Sequence, residues 1–145
     1  MINICNEYSS CFYSSFIFLT NVIIAYWYEY YFYGRLFFLL TITSILFHSI
    51  HDNVYSNIND KMAILAIVLY GGYLFFHKFW TNKTSVKYWV FSFFIITAFL
   101  LTLYLFIYGY ITNSFCFYED RNVANLYHCL LHIISSIGHN LIIMM

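Results

Sequence analysis

Two histidines four residues apart, His128 and His132, lie in a stretch that is otherwise apolar enough to cross a membrane, NLYHCLLHIISSIGHNLIIMM at residues 125–145. At about 100° per helical residue they fall at about 0° and 40°, with His139 near 20° and Ser135 near −20°, a single stripe. Ionisable groups inside a bilayer are costly and usually face a bundle interior or a functional site. An H-x-x-x-H pair sets two imidazoles one turn apart, which suits shared coordination of one metal ion. A second stripe lies earlier, in SILFHSIHD at residues 44–52. There Ser44, His48 and His51 fall at about 0°, 40° and 340° on a helix. Asp60 follows eight residues after Asp52.

These side chains need helices to position them, and composition says of which kind. The chain of 145 residues is 63% hydrophobic, 25% aromatic and 8% charged, with no proline and a mean hydropathy of +0.73. A soluble domain would carry roughly a quarter charged residues. The expected class is an all-α integral membrane protein. Net charge is zero and no basic tract exists, which argues against nucleic acid as a partner. The start, MINICNEYSSC, lacks a basic region and a small-residue cleavage motif, so no cleavable signal peptide is expected. The cysteines Cys5, Cys11, Cys116 and Cys129 show no C-x-x-C spacing and read most simply as free thiols.

A membrane helix takes about 20 apolar residues. Five such segments are expected, at residues 11–28, 33–51, 61–80, 88–111 and 124–145, forming one bundle and one domain. Stretches 52–60, 81–87 and 112–123 read as loops. Gly71-Gly72 marks a close helix approach or a kink in the third segment. Lys78, Lys83 and Lys87 cluster around the 81–87 loop, which the positive-inside rule places in the cytoplasm. The N-terminus is then non-cytoplasmic and the C-terminus cytoplasmic, and the sequon Asn82-Lys83-Thr84 should carry no glycan. Cys5, Cys11 and Cys116 would share the non-cytoplasmic side, where a disulfide can form. On this topology His48, Asp60, His128 and His132 lie at one depth, provided that 88–111 crosses once.

Three histidines with one open position is a catalytic zinc arrangement. Asp60 could exchange a proton with water there, and Ser44 could hydrogen-bond the water or a developing oxyanion. Each residue also has a plainer reading. The histidines could be hydrogen-bonded packing groups, Asp60 a helix cap, and Ser44 or Ser135 a back-bonded serine. His51 and Asp52 read as a solvated helix end, although Asp52 competes with Asp60 for the acidic role. His139, about 10 Å along the axis from His132 at 1.5 Å per residue, is too far to share the same ion. His77 and the aromatic run at 26–33 read as interfacial anchors.

The ordered set Ser44-Ile-Leu-Phe-His48, Asp60 and His128-Cys-Leu-Leu-His132 resembles the superfamily of alkaline ceramidases and progestin/adipoQ receptors, to which myomaker-like proteins also belong. The resemblance implies zinc held by His48, His128 and His132, with Asp60 and Ser44 serving the metal's water. It implies hydrolysis of a lipid amide such as ceramide. That superfamily has seven membrane helices, and this chain has room for about five. Glu7 stands alone where calcium-binding ceramidases carry an acidic cluster. Two other readings stay open: a non-enzymatic membrane protein with a structural metal or packing histidines, and a bis-histidine haem protein with one ligand from the second helix and one from the last.

Overall fold

A chain this apolar cannot leave backbone amides unpaired in a bilayer, and the helix pairs them within one segment. The computed structural model of the protein describes residues 9–49 and 53–145 and is all-α, with no strand among the described residues. The helices are α1 (Ser9–Ser15), α2 (Phe18–Trp27), α3 (Tyr31–Ser49), α4 (Val54–Thr81), α5 (Val86–Leu103), α6 (Gly109–Thr112) and α7 (Arg121–Met144). A π-helical turn, Tyr104–Tyr108, joins α5 to α6, and a 3₁₀ turn, Phe115–Phe117, precedes α7. Among the described residues, five stretches are long and apolar enough to span a membrane: Ser10–Trp27, Tyr31–Ser49, Val54–Thr81, Val86–Phe117 and Arg121–Met144.

The expected boundaries shift in ways that matter. The first span is not one straight helix. Between α1 and α2 the backbone tightens, with Phe16 N–H donating to Tyr13 O (3.2 Å) and Ile17 N–H to Ser14 O (3.1 Å). Ser14 and Ser15 also return their hydroxyls to the Cys11 carbonyl, a bonding pattern that bends helices. The stretch 52–60, expected as a loop, is helical from Val54 onward. Asn53 is the reason: its side-chain oxygen accepts from Tyr55 N–H (3.0 Å) and Ser56 N–H (3.3 Å). Asp60 therefore lies well inside α4 and is not its cap. The 28 residues of α4 reach about 42 Å at 1.5 Å each, longer than a hydrocarbon core of about 30 Å. The stretch Val86–Phe117 is a single candidate span with the π turn inside it.

α7 packs against α1, α2 and α5, while α3 packs between α2 and α4. Two glycines let helices approach closely. A Cβ on Gly138 would lie 3.1 Å from Ala98 Cβ, so α5 and α7 nearly touch there. A Cβ on Gly71 would strike the Tyr33 hydroxyl and His139, whereas one on Gly72 meets nothing. α4 runs unbroken through both, so the pair serves close approach, at Gly71 alone, and makes no kink. The core is formed by Phe18, Tyr33, Phe37, Leu40, Ile67 and Ile143 among others. Many large apolar side chains face outward, including Phe38, Ile42 and Leu46 of α3 and Phe93, Phe94 and Leu100 of α5. In water such a surface would be a liability, whereas against lipid tails it is the expected outer face. At the far end of α7, Lys78 Nζ donates to the carbonyls of Ile142 (2.9 Å) and Ile143 (2.7 Å), neutralising the helix's negative pole.

Candidate metal centre

α7 is straight enough for the one-turn spacing to hold, and the His128 and His132 rings stand 4.8 Å apart, centroid to centroid. α3 delivers the third ring. His48 lies 5.0 Å from His128 and 5.5 Å from His132 by the same measure. One ring nitrogen from each of the three falls within 4.8 Å of the others. Zinc–nitrogen bonds of ~2.0–2.1 Å in a tetrahedral set would place the nitrogens about 3.3 Å apart, so side-chain rotations of about an ångström would close the set. Val86–Phe117 is one candidate span by length and composition, consistent with the end of α3 and the start of α7 meeting in the histidine cluster.

The unpaired polar atoms favour a bound cation. Among the described residues, the buried side-chain nitrogens and oxygens without a hydrogen-bond partner are His48 Nε2, Ser56 Oγ and Asp60 Oδ1. All three belong to the end of α3 and the start of α4. Buried polar atoms are rarely left unsatisfied, and an unpaired nitrogen on a ring 5.0–5.5 Å from two other imidazoles has the chemistry of a ligand. Three neutral imidazoles suit zinc, copper, iron or nickel better than calcium or magnesium.

His132 is 5% exposed and is held on its other side by Ser14 of α1, whose Oγ lies 2.8 Å from His132 Nδ1. Asp60 is 4% exposed and is not among the converging donors. Its Oδ2 lies 3.5 Å from Lys61 Nζ, while its Oδ1 stays open. Ser44 is 2% exposed, and its Oγ lies 2.9 Å from Ser15 Oγ. Ser15 gives its own proton to the Cys11 carbonyl (2.9 Å), so Ser44 must donate to Ser15. Ser44 Oγ can then accept a hydrogen bond while its proton lies towards Ser15.

Several expectations fall elsewhere. His51, Asp52, Glu7 and Cys5 lie outside the described residues. Ser135 Oγ donates to the His132 carbonyl (3.1 Å), as a back-bonded serine does. Cys11, Cys116 and Cys129 are free thiols, with Cys11 and Cys129 Sγ atoms 4.0 Å apart. His139 makes no contribution to the cluster and pairs with Tyr33.

Two neighbours of the site had no signal as such in the sequence. Ser14 lies in an apolar helix and is 118 residues from its partner. Lys61 sits over the rings of Phe47 (5.1 Å) and Phe106 (5.6 Å), beside Asp60 and next in space to the residue that precedes His48. Its position next to Asp60 was the only available cue. No protein-family model, curated protein or solved structure matches the chain.

Proposed function

We propose that the chain is a zinc-dependent hydrolase working within the membrane on a lipid amide of ceramide type, with His48, His128 and His132 holding the metal. The observation that carries this reading is the convergence of three imidazole donors from two spans, one of them with a buried, unpartnered Nε2. When bound, zinc supplies Lewis-acid polarisation of a carbonyl and activation of water.

The chain's own residues supply the rest. Asp60 Oδ1, open and buried, can take up and return a proton, with Lys61 compensating the carboxylate's charge through Oδ2. Ser44 Oγ can accept from a water near His48 and so orient it. The apolar outer faces of α3 and α4 admit an acyl chain from the bilayer. A lipid amide suits this setting because its chains stay in lipid while its polar linkage reaches the interface. The proposed orientation has the N-terminus non-cytoplasmic, which places the histidines at the non-cytoplasmic end.

A structural metal is the second reading, and the observation that favours it is that Asp60 is not among the converging donors, so the three imidazoles could hold an ion with no acid beside it. A haem fits less well. A porphyrin between any two of the imidazoles would have to occupy space within 4.8–5.5 Å of the third ring.

The test uses the full chain in lipid nanodiscs with ceramide supplied. Zinc content and fatty-acid release are measured for the wild type, His128→Ala and Asp60→Asn. The hydrolase reading expects about one zinc per chain and turnover in the wild type, neither in His128→Ala, and zinc without turnover in Asp60→Asn. Zinc without release of fatty acid from any lipid amide would leave the structural metal standing.

A further inference from the structure

We infer that Ser14 is a positioning residue for the metal: it holds His132 as the tautomer protonated on Nδ1 and thereby presents the Nε2 lone pair to the ion. This rests on the proposed metal reading and concerns a residue on the first span, far from the histidines in sequence.

The inference follows from counting protons. Ser14 Oγ lies 3.0 Å from the Cys11 carbonyl oxygen and 2.8 Å from His132 Nδ1. A hydroxyl has one proton, and a carbonyl oxygen can only accept. With the proton on the Cys11 side, Ser14 Oγ is left as an acceptor and Nδ1 must carry the hydrogen. The reverse assignment would point two bare oxygens at each other across 3.0 Å in an apolar setting. Neutral imidazole with hydrogen on Nδ1 has its lone pair on Nε2. Metal-binding histidines almost always donate their second nitrogen in this way, which fixes both tautomer and ring orientation.

The backbone explains why Ser14 can reach. α1 ends at Ser15, and the tightened turn before α2 swings the serine pair towards the bundle interior. Ser15 and Ser14 both donate to the Cys11 carbonyl, so one backbone oxygen orders two hydroxyls. One hydroxyl holds His132, and the other receives the proton of Ser44, one turn before His48. The first span thus braces both helices that carry the histidines. Phe18, with its ring centroid 5.1 Å from that of His132, packs beside the imidazole and limits its rotation.

The test measures zinc affinity by competition with a chelator for full-length wild type, Ser14→Ala and Ser14→Thr, together with cobalt(II) absorption spectra. Ser14→Ala should bind zinc about 10–100-fold more weakly, the usual effect of losing such a partner. Its cobalt bands should shift or weaken, and Ser14→Thr should restore affinity to within a few-fold. Wild-type affinity and spectrum in Ser14→Ala would overturn the inference, even if thermal stability fell. If Ser14→Ala does not fold, wild-type protein with ¹⁵N-labelled histidine decides. A metal-free two-bond N–H spectrum should show His132 protonated on Nδ1, and protonation on Nε2 would overturn the assignment. A wild type that binds neither zinc nor cobalt removes the metal reading itself, a result separate from any effect of Ser14.

Discussion

The two ends of α7 present the same side chain to opposite fates. Near its start, His128 and His132 face His48, with one ring nitrogen from each within 4.8 Å of the others. About 10 Å further along, at 1.5 Å per residue, His139 is drawn into helix packing instead. Its Nδ1 pairs with the Tyr33 hydroxyl, and its ring packs against Phe37 at 5.3 Å. The neighbouring polar groups are paired too. Asn21 of α2 donates to the Ser136 carbonyl and to Asn140 Oδ1, both at 2.8 Å, and accepts from Ser136 Oγ at 2.6 Å. One end of the helix turns its histidines towards a third imidazole, whereas the other uses its polar atoms to join helices. A histidine in a membrane helix is therefore defined less by its own stripe than by what the facing helix offers it.

The largest expected contrast is in bound metal. His128→Ala or His132→Ala should reduce zinc from about one per chain to near zero, while His139→Ala should leave it unchanged. Elemental analysis after dialysis checks this, and loss of zinc in His139→Ala would break the contrast. Next comes the chelator response. Zinc at 100 times its dissociation constant contributes about 2.7 kcal/mol of stability, so chelation should lower the wild-type melting temperature. His132→Ala should show no such response, and Tyr33→Phe should keep it in full.

Gly71→Ala sharpens the other side. The added methyl would lie 2.9 Å from His139 Nδ1 and strike the Tyr33 hydroxyl, so overpacking should cost about 1–3 kcal/mol with zinc binding intact. Tyr33→Phe is milder. It removes one interhelical hydrogen bond in a membrane, worth about 0.6 kcal/mol and up to ~1.7, read as a small drop in denaturation midpoint. The smallest effect is expected at Lys61. Lys61→Met removes a positive charge over Phe47, the neighbour of His48, and zinc should bind slightly more tightly, by no more than about a few-fold, in the same competition assay.

Much of the fold was legible because membrane helices announce themselves locally. Every span is an apolar run, and the expected single segment at 88–111 falls within one candidate span, Val86–Phe117. The misread start of α4 shows the limit. Asn and Asp usually signal a loop, yet Asn53 placed ahead of them caps the helix and carries it through Asp60. The bent first span was hidden for a related reason: serines inside an apolar run look like ordinary helix residues until their hydroxyls find the Cys11 carbonyl. At the site, His48, His128 and His132 could be grouped on spacing and depth. Ser14 and Lys61 could not, since neither has a periodic partner within its own helix.

The sequence by itself determined the membrane class, the helical spans and the one-turn adjacency of His128 and His132. Those properties depend on composition and on the 3.6-residue period, both of which are local. Only the tertiary structure decided that His48 would meet that pair, that His139 would be taken by Tyr33, that Asp60 would stand apart with one open oxygen, and that Ser14 would reach across 118 residues to His132. The physical reason is that a helix fixes which side chains share a face, whereas packing between helices fixes which partner each face receives.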